Sequence, residues 1–242
     1  MKRRQFIQKT LGGVAALAAA KMNGLTFAEK ISNSPAPEKL TAGENVLSKR
    51  RGVNLGGWLV LEKWMVPDVF RGTDAPDEYS LCLDLGDRAK ARLNQHRETF
   101  ITAEDFRWIK NRGLNAVRLP VGYWALEAPK PFVECAKFVD FALEQCRQNN
   151  LKLLLDLHGA PGSQNGWDHS GRSGAINWPK DPKNIRETLR VLESFAQKYG
   201  QHPALCGIEL LNEPNAQIPL EILQQFYQDA YPRLRKYARP EV

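Results

Sequence analysis

The arrangement in this chain best suited to chemistry is a carboxylate beside an amide at the end of an apolar run, Gly207-Ile208-Glu209-Leu210-Leu211-Asn212-Glu213-Pro214. Ile208, Leu210 and Leu211 form a strand-length run, and Pro214, lacking an N–H, should end the ladder. Glu213 then sits at the C-terminal tip as a candidate proton donor. Asn212 beside it is a candidate hydrogen-bonding partner for a substrate. A turn after an ordinary strand would use the same residues, so the other polar positions must decide. Arg118 interrupts a second apolar run, Leu114 to Trp124. A buried guanidinium needs a carboxylate or hydroxyl partner. Its planar fork suits orienting a carboxylate, and a purely structural ion pair is the alternative.

His158 closes a third run, Leu151 to His158, and the loop that follows to Asp168 is dense in amides and hydroxyls around Trp167. His158 is a site candidate by position, or a satisfied core histidine. Asp156 is expected to bond to neighbouring backbone, and Asp168 is either a turn residue or a ligand for hydroxyl groups. Glu62 lies two residues before Trp64. Polar groups beside an aromatic platform suit a polyhydroxylated ring, although Trp64 could equally be a packing tryptophan. No residues have metal-ligand spacing and no glycine-rich loop cradles phosphate, so neither metal nor organic cofactor is expected.

These residues need strands to hold them, and strands alternate with helices along the chain. A first strand from Arg51 runs into Gly56-Gly57-Trp58 and continues through Leu59 to Trp64. Residues 66 to about 98 read as irregular apart from a helix over Gly86 to His96. Thr102 and Asp105 make a variant capping box, opening a helix with Phe106 and Ile109 on its apolar stripe and Gly113 at its end. Further helices are expected over Val133 to Gln148, Pro182 to Tyr199 and Leu220 to Tyr237, and Arg239 to Val242 reads as the approach to another strand. Cys135 and Cys146 lie too far apart along one helix to bridge, while Cys82 and Cys206 could pair only if the fold joined them. Strict strand–helix alternation argues for a parallel sheet and a TIM (β/α)8 barrel. A whole barrel takes about 250 residues, so four units are about half of one, and an N-terminal fragment is expected.

The net charge of +7 is mostly a leader effect, because Lys2, Arg3, Arg4, Lys9 and Lys21 precede any acid. Nucleic-acid binding, which needs a basic face on the folded domain, is therefore not expected. A charged start, an apolar stretch from Thr10 to Ala20 too short to span a bilayer, and Thr26-Phe27-Ala28 before a cleavage point read as a signal peptide over residues 1–28. Its paired arginines resemble a bacterial twin-arginine signal, read by that export machinery, with an ordinary Sec signal as the alternative. Either route makes the mature chain periplasmic or extracellular, with no membrane span. Residues 29–47 read as a flexible arm, and residues 48–242 as the half-barrel.

The runs RGVNLGGWLVLE, NAVRLPVGYWA, LDLHGAPGSQNG and GIELLNEP occur in that order over residues 51–214. Together they resemble glycoside hydrolase family five, the cellulase family, and within it are similar to exo-β-1,3-glucanases and related β-glucosidases. The resemblance implies Glu213 as general acid/base, Asn212 on the sugar's 2-hydroxyl, Arg118 and His158 shaping the centre with Arg118 supporting the nucleophile, and Glu62 and Asp168 gripping a terminal glucose. Trp64 stands where those enzymes tend to carry Tyr, and His169 where Asn is usual, both near the terminal-sugar subsite. The implied activity is retaining hydrolysis of β-glucan, with a nucleophilic glutamate on a seventh strand that this chain does not contain. The 242-residue chain alone is then expected to be inactive. A non-catalytic carbohydrate-binding half-barrel and a transglycosylase are the alternatives.

Overall fold

A computed structural model describes residues 49–242. The proposed leader and the arm through residue 47 lie outside the described residues. Four parallel strands pair in chain order: β1 (Gly52–Asn54), β2 (Ala116–Gly122), β3 (Lys152–Gly159) and β4 (Leu205–Glu209). Between and after them run six helices: α1 (Glu78–Leu85), α2 (Ala89–Phe100), α3 (Ala103–Asn111), α4 (Ala136–Gln148), α5 (Pro182–Tyr199) and α6 (Leu220–Arg235). Arg50–Val242 forms one compact unit, with the architecture of the first four units of a (β/α)8 barrel.

Strand periodicity divides each strand's side chains between two faces. The row Val53, Val117, Leu153 and Leu205 lies in register across all four strands, and Leu119, Leu155 and Ile208 form a second row. Val117, Leu119, Leu153 and Leu155 are almost wholly buried. The opposite face carries Asn54, Arg118, Asp156, His158 and Glu209. The apolar stripes of α4 (Phe138, Val139, Ala142, Leu143) and α5 (Leu189, Leu192, Phe195, Ala196) are buried as the 3.6-residue period requires. The capping box at Thr102 and Asp105 forms, with Thr102 N–H donating to Asp105 Oδ2 at 2.7 Å.

Several boundaries differ from the sequence reading. The first strand stops at Asn54, and Leu55 to Trp64 is turn and bend. Leu55 to Leu61 is nevertheless deeply buried: Trp58 donates through Nε1 to Arg97 O at 2.8 Å, and Leu61 N–H donates to Glu78 Oε2 at 3.0 Å. The region read as mostly irregular contains α1, started by Asp77, whose Oδ1 accepts from Ser80 N–H at 2.8 Å. Gly86 caps the end of α1 and also opens the expected helical stretch: a 3-10 turn over Gly86–Arg88 runs into α2 at Ala89, which continues past His96 to Phe100. The fourth helix begins at Ala136 rather than Val133, and the last ends at Arg235 rather than Tyr237. β4 ends at Glu209, short of Pro214, although Asn212 N–H still donates to Leu157 O at 3.0 Å. Residues 239–242 form no strand; Arg239 turns back to donate from Nη2 to His202 O and Leu205 O, each at 3.0 Å. All four cysteines are free.

Candidate active site

The polar face of the sheet converges on Arg118. Its Nε donates to Glu209 Oε2 at 2.7 Å and its Nη2 to Glu209 Oε1 at 2.9 Å. Nη2 also reaches Asn212 Oδ1 at 2.8 Å and Asp156 Oδ2 at 2.9 Å, while Nη1 donates to Asn54 Oδ1 at 3.2 Å. Burial works against the guanidinium charge, but the bond to Glu209 and the charges of Asp156, Glu209 and Glu213 outweigh it and raise its pKa. The cation is therefore permanent, and it ties together β1, β2, β3 and the segment after β4.

Asp156 does not bond to neighbouring backbone as its sequence suggested. Its Oδ2 lies 2.6 Å from His158 Nδ1 and 2.9 Å from Arg118, because both partners project from the same face of adjacent strands. Burial pushes the Asp156 carboxyl up, opposed by the bond from His158 and the charges of His158 and Arg118. With Nδ1–H donating to that carboxyl, His158 turns Nε2 toward Asn212 Nδ2, 3.5 Å away. Asn212 is thus held by Arg118 at its carbonyl end and faces His158 at its amide end. Gln164 secures the same region by donating from Nε2 to His158 O at 2.7 Å and Asn212 O at 2.9 Å.

Glu213 follows this clamp in a different state. Its backbone φ is 44°, in the left-handed region that non-glycine residues seldom occupy. Its side chain is 63% exposed, its carbonyl accepts from Asn165 Nδ2 at 3.3 Å, and its Oε2 lies 3.5 Å from His169 Nε2. A strained backbone carrying a free carboxyl beside a rigid polar clamp is a functional-site signature.

Glu62 and Trp64 meet directly, the indole Nε1 donating to Glu62 Oε2 at 2.9 Å, with Trp64 69% exposed. Asp168 starts a short 3-10 turn (Asp168–Ser170), its Oδ1 accepting from His169 N–H at 3.0 Å. Trp167, also exposed, stands edge-to-face with His169 at 5.4 Å. Burial and His158 lower the pKa of His169, and the charges of Glu213, Glu62 and Asp168, from three separate loops, oppose them. No group of three or more His, Cys, Asp and Glu suited to a metal ion occurs among the described residues. A groove of about 730 Å³ lined by Tyr79, Leu83, Lys90 and Phe132 shares none of these residues.

Sequence reasoning missed Glu209, Asn54 and Gln164. The signal for the first two was present: each is a lone polar residue in an apolar strand, at the same period-two position as Arg118 or Asp156. Gln164 had no such signal, since its role depends on two carbonyls brought together by β3 and the segment after β4.

Residues 88–240 match the sequence profile of the cellulase family, described as glycosyl hydrolase family 5. The chain belongs to this family. A glucan 1,3-beta-glucosidase from Blumeria graminis is 46% identical over 218 residues, covering 86% of this chain and 51% of that protein. A probable glucan 1,3-beta-glucosidase A from Emericella nidulans is 45% identical over 206 residues, covering 81% and 50%. The chain spans about half the length of the curated relatives it matches. The crystal structure of rutinosidase from Aspergillus niger superposes with a TM-score of 0.71 at 22% identity, covering 79% of this chain and 60% of that one. That likeness shows the fold, a parallel (β/α) barrel, of which the described residues supply four strands.

Proposed function

We propose that this chain carries the acid/base side of a retaining β-glucan glycosidase site, with Glu213 as the proton-transferring carboxyl. The observation carrying this reading is Glu213 itself: an exposed carboxyl on left-handed backbone, next to the Arg118–Asn212–His158 clamp. Protonated Glu213 gives its proton to the departing glycosidic oxygen while a second carboxylate attacks the anomeric carbon. It then takes a proton from the water that breaks the glycosyl–enzyme bond. Asn212, immobilised at both ends, is suited to a sugar hydroxyl, and Trp64 with Glu62 to a terminal ring. The relatives' names support a β-1,3-glucan as substrate, and the sequence motifs support exo action.

The second carboxylate must lie about 5–5.5 Å from Glu213. Among the described residues, Glu209 is gripped by Arg118, Asp156 is buried under His158, and Glu62 is bonded to Trp64. The nucleophile is therefore expected from outside residues 49–242, and the 242-residue chain alone should show no hydrolysis or a trace. Export to the periplasm or beyond, through a leader cleaved near Ala28, is part of the same proposal. It rests on Arg3-Arg4 and the short apolar stretch behind them.

The test is the intact mass of the native secreted protein, measured with its action on an aryl β-glucoside and on β-1,3-gluco-oligosaccharides. A mass above that of the 242-residue chain, with glucose release that Glu213→Gln lowers by about 10²–10⁴-fold, supports the reading. Ready turnover by the purified 242-residue chain overturns the external nucleophile. Equal oligosaccharide binding by wild type and Glu213→Gln, with hydrolysis by neither, favours a binding protein. Longer products accumulating with time would indicate transglycosylation.

A further inference from the structure

His169 is the histidine nearest to Glu213, and its surroundings are unusual. Its side chain is 10% exposed, Nδ1 is buried without a partner, and Nε2 faces Glu213 Oε2 at 3.5 Å. The ring packs 5.1 Å from His158 and 5.4 Å from Trp167. The turn carrying it is fixed on both sides. Ser163 Oγ and Ser170 Oγ lie 2.6 Å apart, Ser170 N–H donates to Trp167 O at 3.1 Å, and Tyr79 N–H donates to Gly171 O at 2.9 Å. The exposed Glu213 side chain is the freer partner, and a small rotation of it would shorten 3.5 Å to a hydrogen bond of about 2.9 Å.

The buried, unpartnered Nδ1 decides the tautomer. A proton there would be an unpaired buried N–H, so the neutral ring with its proton on Nε2 is preferred. Burial and the neighbouring His158 both lower the pKa of His169, opposed by Glu213, Glu62 and Asp168. These groups come from β3 (His158), from the segments after β4 (Glu213) and β1 (Glu62), and from its own turn (Asp168).

We propose that His169 is a positioning residue for Glu213: its neutral ring donates Nε2–H to Oε2, fixing the carboxyl's direction. This rests on Glu213 being the acid/base. The bond would then keep the carboxyl in one orientation through both halves of the reaction, in which Glu213 first gives and then accepts a proton.

Proton coupling can be read without turnover, so the test is independent of hydrolysis. The 242-residue chain labelled with ¹³C in Glu and His is titrated by NMR as wild type, His169→Phe, His169→Gln and Glu213→Gln. The order of the Glu213 side chain, read from its ¹³C relaxation, is expected to fall in His169→Phe and to return most of the way in His169→Gln, which keeps an N–H donor. The His169 midpoint should fall in Glu213→Gln, where the facing negative charge is gone. Unchanged Glu213 side-chain order in His169→Phe, or a His169 midpoint unmoved in Glu213→Gln, overturns the proposal. Should His169→Phe not fold, the His169 midpoint in Glu213→Gln still decides. Coupling without any hydrolysis by the native protein would sink the glycosidase reading and leave the pairing standing, and hydrolysis without coupling would do the reverse.

Discussion

Arg118 closes its guanidinium fork on Glu209, Nε to Oε2 at 2.7 Å and Nη2 to Oε1 at 2.9 Å, joining β2 to β4 across β3. Two parallel hydrogen bonds between ionised groups are stronger and more directional than one. The side chains are 25% and 32% exposed, so solvent screens the pair only in part. Glu209→Ala should lower stability by about 2 kcal/mol, less than the loss of one partner from a fully buried pair, because Asp156 still balances Arg118. Urea unfolding checks this, and a change within 0.5 kcal/mol (about the range of neutral surface substitutions) would contradict it.

Gly171 holds the loop of Asp168 and His169 against the barrel. Its φ is 87°, and a Cβ there would collide with Cη2 of Trp124, which is stacked on Phe132 at 4.0 Å. Gly171→Ala combines backbone strain with overpacking, and about 3 kcal/mol of destabilisation is expected. The neighbouring bond from Tyr79 N–H to Gly171 O should loosen with it, seen as faster amide exchange at Tyr79. Unchanged stability would show that the loop can move off Trp124.

Burial pushes the thiols of Cys82 and Cys146 up to about 12 and that of Cys135 to about 11. Thiolate is the reactive form, so the folded chain at pH 8 should react with a thiol reagent at Cys206, the half-buried one, slowly and to at most one equivalent. Denaturant should release all four. Two or more fast equivalents in the native chain, or fewer than four on unfolding, would contradict the arrangement.

His169 and His202 both have their pKa lowered from 6.5, first by burial. The unfolded chain then binds more protons than the native chain below that value. Their contribution is fully present above pH 6.5 and is lost as pH falls through it toward the native values. The urea midpoint should be lower at pH 5.5 than at 7.5, and the difference should shrink in a His169→Gln, His202→Gln double variant. An equal pH dependence in that variant would assign the effect to other groups.

Much of the architecture is local in origin and was legible in the chain. The apolar runs of β2 and β3, the stripe of α5 between Pro182 and Gly200, and the capping box before α3 are each specified by residues close together in sequence. α1 escaped notice because its apolar residues, Leu81, Cys82 and Leu85, are few and lie between Pro76 and Gly86. Its plainest signal is the Asp77 cap. The ladder end was misplaced because Pro214 rules out further pairing without showing that pairing has stopped sooner, at Glu209.

The residue types of the candidate site follow from sequence: Glu213 beside Asn212, Arg118 and His158 in apolar strands, Glu62 near Trp64. Which groups they hold was decided only by the tertiary structure. Asp156 and His158 share a face of β3 two residues apart, but Asp156 meeting Arg118, Glu209 in the fork of Arg118, and His169 against Glu213 join residues from different strands and loops. A strand's period-two pattern tells which face a side chain takes. Parallel register, set by packing of whole βα units, tells which side chain on the next strand lies beside it.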